Sequence, residues 1–323
     1  MKVGSFTLTW NPVEHVVDRP GVPFLIRRVT WCDKVPCRNA GALVTWARNH
    51  DTHAEITQSP RTMNYEFFSQ TDPGLSRSNN EDTVAFDAET QLCIVADGMG
   101  GYNAGEIASG MAVEFIRAEM TRWLAQAMHL AGPKQVCRAL EICVENTNLA
   151  ILKAAHANSQ YAGMGTTLVV GVFQKDQLVV GHIGDSRCYL FRGGHLTLIT
   201  RDHSLLQEQL DAGLISPEEA ASSTQKNLVT RALGVEEEVV LEVDQRDVMA
   251  DDIFLMCSDG LTDMVGDVAI AQSLGAEPTL AAMAQRLINA ANANGGRDNI
   301  TVLLARATAD VKKPTIMARL LGR

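Results

Sequence analysis

The sequence predicts an α+β fold, because its strands and helices arrive in blocks rather than in βαβ alternation. Four short apolar stretches crowd between Thr167 and Leu198, separated by Lys175-Asp176, Gly184-Asp185 and Gly193-Gly194 turn signals. Spacing that short favours hairpins and antiparallel sheet. Two long stretches with helical periodicity stand together ahead of them.

Taken in order, Glu81–Phe86 enters a short strand and Leu92–Ala96 is an apolar run ending at Asp97-Gly98. A helix is expected from about Gly105 to Met128, with Ile107, Met111, Phe115 and Ala118 on one face. A second begins at Pro133 and buries Leu140, Cys143, Thr147, Ile151 and Ala154. The strand cluster follows as Thr167–Phe173, Leu178–Ile183, Arg187–Phe191 and His195–Leu198. Residues 203–234 form a polar helical insertion, read as a flap, in which Ser216-Pro217-Glu218-Glu219 supplies an N-cap, a first-position Pro and a capping-box Glu. Strands at Val239–Val243 and Ile253–Cys257 come next. A helix from Thr279 then places Leu280, Met283, Ala284, Leu287, Ile288 and Ala291 at helical spacing; Gly295-Gly296 stops it, and Ile300–Ala305 closes as a strand.

The 323 residues allow one large domain or two small ones, and 46% hydrophobic with 20% charged residues excludes disorder throughout. A net charge of −10 repels phosphate backbones, so nucleic acid is not expected as a partner. The charge is uneven. Residues 1–62 hold 8 Lys+Arg and 5 Asp+Glu, which leaves −13 for residues 63–323. Seven cysteines with no CxxC spacing, mostly inside apolar runs, read as free thiols of a reducing compartment. The early apolar run Val22–Ile26 is interrupted by Pro23 and stopped by Arg27-Arg28, and the longest uncharged stretch, Ala154–Gln174, is broken by His, Asn, Gln and glycines. A cytoplasmic protein without a membrane span is expected.

The chemistry concentrates at strand ends. Leu92–Gly98 and Phe254–Gly260 have one shape: a buried strand, one carboxylate (Asp97, Asp259), and a glycine that lets the backbone turn beside whatever the carboxylate holds. Asp298 stands between Gly295-Gly296-Arg297 and the final strand, and Asp185 lies in the turn Gly184-Asp185-Ser186-Arg187. A lone Asp-Gly is an ordinary turn. Four carboxylates gathered at one end of a sheet need cations, and oxygen ligands without His or Cys select Mg²⁺ or Mn²⁺ over Zn²⁺. A site holding two such ions suits in-line attack on phosphorus by an activated water. Arg77, four residues before Glu81-Asp82, supplies a cationic clamp for the phosphate.

On these residues the chain resembles the metal-dependent protein serine/threonine phosphatases of the protein phosphatase 2C type, in their compact bacterial form. The matching stretches are Arg77 through Asp82, Val95 through Gly101, Gly165-Thr166-Thr167, Gly184 through Arg187, Asp202-His203-Ser204, Arg231 through Gly234, Ser258 through Asp263 and Gly296 through Asn299, within residues 71–304. The resemblance implies a four-layer α-β-β-α sandwich, two antiparallel sheets flanked by helix pairs. It implies that Asp97 bridges two ions, that Asp259 and Asp298 complete one shell, and that Glu81 and the Gly98 carbonyl serve the other, with Asp82 acting through bound water. Asp185 and Asp263, with Asp259, match the ligands of a third, weaker ion, and Arg77 matches the residue that binds the substrate phosphate. The implied reaction is direct hydrolysis of phosphoserine and phosphothreonine, without a phosphoenzyme, opposing a bacterial serine/threonine kinase; a monomer is expected. The alternative is a catalytically silent phosphoprotein-binding module, and a third reading is a phosphatase dedicated to one regulator.

One departure is Met99, where many eukaryotic members carry the His proposed as general acid. In its place a metal-bound water could protonate the leaving group, with His203 as the alternative, against a plain hydrogen-bonding role beside Asp202; His182 reads as a satisfied core histidine. Cys32 and Arg38 have the C-x5-R spacing of cysteine phosphatases without the glycines that would wrap a phosphate, so the match is assigned to chance. The motifs start at Thr71, and Met63–Asp72 reads as the first strand of the domain. The expected organisation is therefore a non-catalytic prefix (1–62) with Met63 as the natural start, a catalytic domain (63–310) and a basic tail (311–323).

Overall fold

The central strands read as unbroken apolar runs because both of their faces are covered. The computed structural model describes residues 63–100, 104–127, 130–216, 219–220 and 228–309. The prefix, Cys32 and Arg38, and the basic tail lie outside the described residues. One antiparallel sheet contains β1 (Met63–Asp72), β11 (Ile300–Ala309), β10 (Ile253–Cys257), β7 (Arg187–Arg192) and β8 (His195–Leu198), in that order. The other runs β2 (Asp82–Asp87), β3 (Leu92–Met99), β5 (Leu168–Gln174), β6 (Gln177–Ile183) and β9 (Glu242–Asp247), with the short β4 (Gly165–Thr166) against the end of β3.

Alternation along β3 builds two layers at once. Cys93 and Val95 point between the sheets, where they meet Val169, Phe173 and Val180 from their own sheet and Cys188, Phe254, Met256 and Leu303 from the other. Leu92, Ile94 and Ala96 point outward under α1 (Ala104–Ala127) and α2 (Pro133–Ala157). The first sheet repeats the pattern: Leu255, Cys257, Val302 and Leu304 pack under α5 (Asp267–Ala276) and α6 (Leu280–Ala293). The result is the α-β-β-α sandwich. Each fully buried large side chain, such as Phe254 or Ile94, contributes about 1.5–3 kcal/mol.

The helix starts follow their capping chemistry. Gln135 Oε1 accepts from the Gly132 amide at 3.0 Å, ahead of Pro133 in the first turn of α2. Thr279 Oγ1 accepts from Ala282 N at 3.2 Å at the head of α6, whose six expected core residues are all buried. In the insertion, Ser204 caps α3 (Leu205–Asp211), and Ser216 and Glu219 exchange both bonds of the capping box, at 2.8 and 3.2 Å. Pro217, Glu218 and residues 221–227 lie outside the described residues. The insertion is stitched where it leaves and returns: Thr230 N donates to His203 O at 2.8 Å, and Leu233 exchanges both backbone bonds with Thr166.

Three expectations are corrected. The strand expected at Val239–Val243 lies at Glu242–Asp247, an edge strand on β6 that carries polar side chains, while Val240 is exposed and Leu241 tucks under the sheet. The core face of α1 is Ala108, Ala112, Val113, Ile116 and Met120. Ile107, Met111 and Phe115 only flank it and Ala118 is exposed; the core face carries the small Ala108 and Ala112 in its first half and Ile116 and Met120 further along. α4 (Asp259–Thr262) and α5 were not foreseen, since α5 buries only Ile270, Ser273 and Leu274. Among the described residues Cys93, Cys137, Cys143, Cys188 and Cys257 are free, and burial pushes the Cys143 and Cys257 thiols up to about 12. No described helix is long and apolar enough to cross a membrane.

Candidate active site

The sandwich brings the acidic residues to one end of the two sheets. Asp97, at the end of β3, lies directly across from Asp82 at the start of β2. Its backbone is gripped on both sides: Asp97 N donates to Thr167 Oγ1 at 3.0 Å, and Asp97 O accepts from Thr167 N and Thr166 Oγ1, both at 2.9 Å. Thr167 Oγ1 is in turn bonded to Ser186 Oγ at 2.8 Å, which ties the Asp185 turn to the same support. The Gly165-Thr166-Thr167 motif therefore fixes where Asp97 points.

Asp259 opens α4 at the end of β10, opposite the β11 turn that carries Asp298. Burial raises the Asp97 and Asp259 carboxyls well above the usual range. Asp82, Asp259, Asp185 and Asp298 push Asp97 further, and Asp185, Asp263, Asp298 and Asp82 do the same to Asp259. Burial likewise lifts Asp82 and Asp185 to about 6. Asp82, Asp97, Asp185, Asp259, Asp263 and Asp298 are thus drawn into one cluster, and Glu81 stands beside Arg77 and the Gly98–Gly105 contact at its edge. Arg77 faces it, with Nη2 2.7 Å from Asp298 Oδ2 and with Glu81 and Asp97 close enough to raise its own pKa.

Whether such a cluster fits cations is decided by its unused lone pairs. Asp82 Oδ2 accepts from Ser258 Oγ at 2.7 Å, but Asp82 Oδ1 and Asp259 Oδ1 are buried without a hydrogen-bond partner. Orphaned acceptors among like charges cost stability unless a cation meets them. The donor set is all oxygen, which suits Mg²⁺ or Mn²⁺.

Two glycines admit the close approaches that shape the centre. A Cβ on Gly98 would stand 2.1 Å from the Gly105 carbonyl oxygen and 2.7 Å from that of Glu81, so the first turn of α1 presses directly on the end of β3. The Gly98→Ala variant is expected to lose about 3 kcal/mol or more, because the obstruction is backbone and cannot rotate away. Thermal unfolding should show it as a fall of roughly 10 °C in Tm. Gly184, at φ +99°, turns the chain into Asp185.

Arg187, Asp202 and His203 serve the framework. Arg187 holds Asp202 through Nε at 2.9 and 3.1 Å and Nη2 at 2.6 Å, and reaches Tyr189 OH through Nη1 at 3.1 Å, so all three of its nitrogens are engaged. His203 is buried and stacked on His182 at 4.8 Å. Its Nδ1 accepts from Gly184 N at 3.1 Å, so the proton sits on Nε2, facing Glu242 Oε2 at 3.1 Å. Both nitrogens are engaged behind the Asp185 turn, and burial lowers the pKa of the ring. His203 therefore acts as a hydrogen-bonding support, with no nitrogen left to serve as general acid. His182, His203 and Glu242 stand close enough to enclose a cation. With Nδ1 accepting a peptide N–H, however, Nε2 has no lone pair to offer. His182 Nε2 is satisfied by Arg201 at 2.7 Å, as a core histidine.

The sequence motifs included Thr166, Thr167, Ser186, Ser258 and Asn299 without assigning them roles. Their partners lie far away in the chain, and only the fold shows what they hold.

A family model described as protein phosphatase 2C matches residues 76–305. The serine/threonine phosphatase stp of Listeria monocytogenes is 39% identical over 245 residues, 75% of this chain and 95% of that protein. The serine/threonine protein phosphatase PstP of Mycobacterium tuberculosis is 40% identical over 248 residues, 76% of this chain and 45% of that protein. A crystal structure of the catalytic domain of a phosphatase PstP, in complex with two manganese ions, superposes with a TM-score of 0.68 at 38% identity, covering 76% of this chain and all of that one.

Proposed function

The chain belongs to the protein phosphatase 2C family as a serine/threonine phosphatase dependent on Mn²⁺ or Mg²⁺, and from that premise we propose that its acidic cluster and Arg77 hydrolyse phosphoserine and phosphothreonine directly. The observation that carries this is the pair of orphaned oxygens, Asp82 Oδ1 and Asp259 Oδ1, inside a carboxylate cluster faced by one guanidinium.

In this reading Asp97, Asp259, Asp298, Glu81 and the Gly98 carbonyl would together hold two ions. Asp82 would support them from beside Asp97, and Asp185 and Asp263, with Asp259, would hold a third. The ions supply positive charge that offsets the phosphoryl oxygens and makes water a usable nucleophile near pH 7. The chain's own residues do the rest. Thr166 and Thr167 keep Asp97 aimed, and Arg77 exchanges its bond to Asp298 for the phosphate oxygens, orienting phosphorus for in-line attack. Against the silent-module alternative stands the full set of acidic positions. The physiological setting we propose is cytoplasmic: a monomer opposing a serine/threonine kinase, with residues 63–310 as the catalytic unit.

The test is hydrolysis of a phosphothreonine peptide by the full chain. Activity should require Mn²⁺ and vanish in excess EDTA, and a chain beginning at Met63 should keep the same kcat/KM. Arg77→Ala should raise KM about 10- to 100-fold, the worth of charge-assisted hydrogen bonds to a phosphate. Undiminished turnover in EDTA, or an unchanged KM in Arg77→Ala, would contradict the proposal.

A further inference from the structure

Arg77 and Glu81 sit on a loop, residues 73–81, that must hold its shape against the turn carrying Asp298, and besides the Arg77–Asp298 pair one side chain of that turn reaches the loop backbone at both ends. Asn299 is 5% exposed. Its Oδ1 accepts from Glu81 N at 2.8 Å, while Nδ2 donates to Pro73 O at 3.0 Å and to Asn79 O at 2.9 Å. One carboxamide thus closes both ends of the loop, using three of its four hydrogen-bonding positions.

The backbone of the same residue is fixed from the other side. Asn299 N donates to Asp298 Oδ1 at 2.8 Å, which orients the carboxylate whose other oxygen holds Arg77. Asn299 O lies so near Gly260 that a Cβ there would be 2.0 Å away, which brings the Asp259 segment against it. Three segments that carry charged site residues, 73–81, 258–260 and 298, therefore meet at Asn299. Secondary ties from Leu75 N and Ser76 N to Gly296 O, at 2.7 and 3.1 Å, hold the middle of the loop but reach neither of its ends.

We infer that Asn299 is a positioning residue for the hydrolysis proposed above, on which this inference rests: its amide sets the loop so that Arg77 meets the phosphate while Glu81 and Asp298 stay in register. The side-chain chemistry is specific. Aspartate keeps an acceptor for Glu81 N–H but loses both donors, and with them the bonds to Pro73 O and Asn79 O, and serine cannot span the distance. A residue that only stabilised the fold would lower Tm without changing how substrate is held.

The experiment is a double-mutant cycle in the full chain with saturating Mn²⁺ and a phosphothreonine peptide. Asn299→Ala is expected to raise KM about tenfold when Arg77 is present and less than twofold in an Arg77→Ala background, because the amide acts through that loop. Asn299→Asp, nearly the same shape, should show the same dependence on Arg77 and serves if the alanine variant does not fold. Equal rises in both backgrounds, or a lower Tm with KM unmoved, would overturn the inference. A measurement on the unaltered protein needs no variant: amide exchange at Glu81 should be as slow as in the core strands, and fast exchange there counts against the staple. Failure of the underlying reading looks different, since wild type would then not hydrolyse the peptide at all.

Discussion

Replacing Asp97 by alanine is expected to lower kcat/KM for a phosphothreonine peptide by a factor on the order of 10³ or more, while the metal-free protein becomes no less stable than wild type. These two effects separate because the position of Asp97 and its charge have different origins. Thr166 and Thr167 hold the backbone of Asp97, and those bonds survive the substitution. The carboxylate itself faces Asp82, Asp259, Asp185 and Asp298, all of which push its pKa up, so without a cation its removal relieves repulsion. Asp259→Ala should behave alike, since its Oδ1 has no partner to lose. Calorimetric titration with Mn²⁺ should show weakened binding in both variants. Hydrolysis within tenfold of wild type, or loss of the folded circular dichroism spectrum, would refute the assignment.

What was legible in the sequence was whatever one face or one strand end determines. Leu92–Ala96, Leu168–Phe173 and Ile253–Cys257 were readable because both faces of each strand are buried, so the run is apolar throughout and bounded by turn residues. β9 was not, because an edge strand needs backbone partners only on one side and tolerates the polar Glu242–Asp247 stretch. The α1 face was displaced because Ala108 and Ala112, rather than the bulkier Ile107 and Met111, go inside. The metal-binding roles of Glu81, Asp82 and Asp263 came with the family resemblance, whereas Asp97 and Asp259 were legible as strand-end carboxylates followed by glycine and Asp185 and Asp298 as carboxylates in turns beside strands. Asn299 was not, because its function is carried by Pro73, Asn79 and Glu81, more than 200 positions earlier in the chain. The tautomer of His203 likewise depends on the Gly184 amide, which a pattern of residue types does not reveal.

Removing metal should reverse the usual pH dependence of stability. Burial raises Asp82 and Asp185 from the ordinary carboxylate value to about 6 in the folded chain. Between roughly pH 4 and 6 the folded state therefore binds more protons than the unfolded one, and stability falls as pH rises through that window. Each shift corresponds to something on the order of 3 kcal/mol, and Asp97 and Asp259, also raised, carry the loss to higher pH. The groups facing these carboxylates are mostly of the same sign: Asp298 beside Asp82, and Asp202 and Asp263 beside Asp185, with Arg187 opposing. Asp211 and Glu242 are lowered by Arg201 and His203, and burial lowers His203 itself, so all three act in the contrary sense; the two carboxylates are largely exposed and screened, and the one histidine stands against four raised carboxylates. The metal-free Tm is therefore expected to drop by about 10 °C or more from pH 4.5 to pH 7. Mn²⁺ should restore it at pH 7 and do little at pH 4.5, where protons already occupy the cluster. A metal-free Tm that stays level or climbs across that interval would show that these carboxylates are not held together as the fold places them.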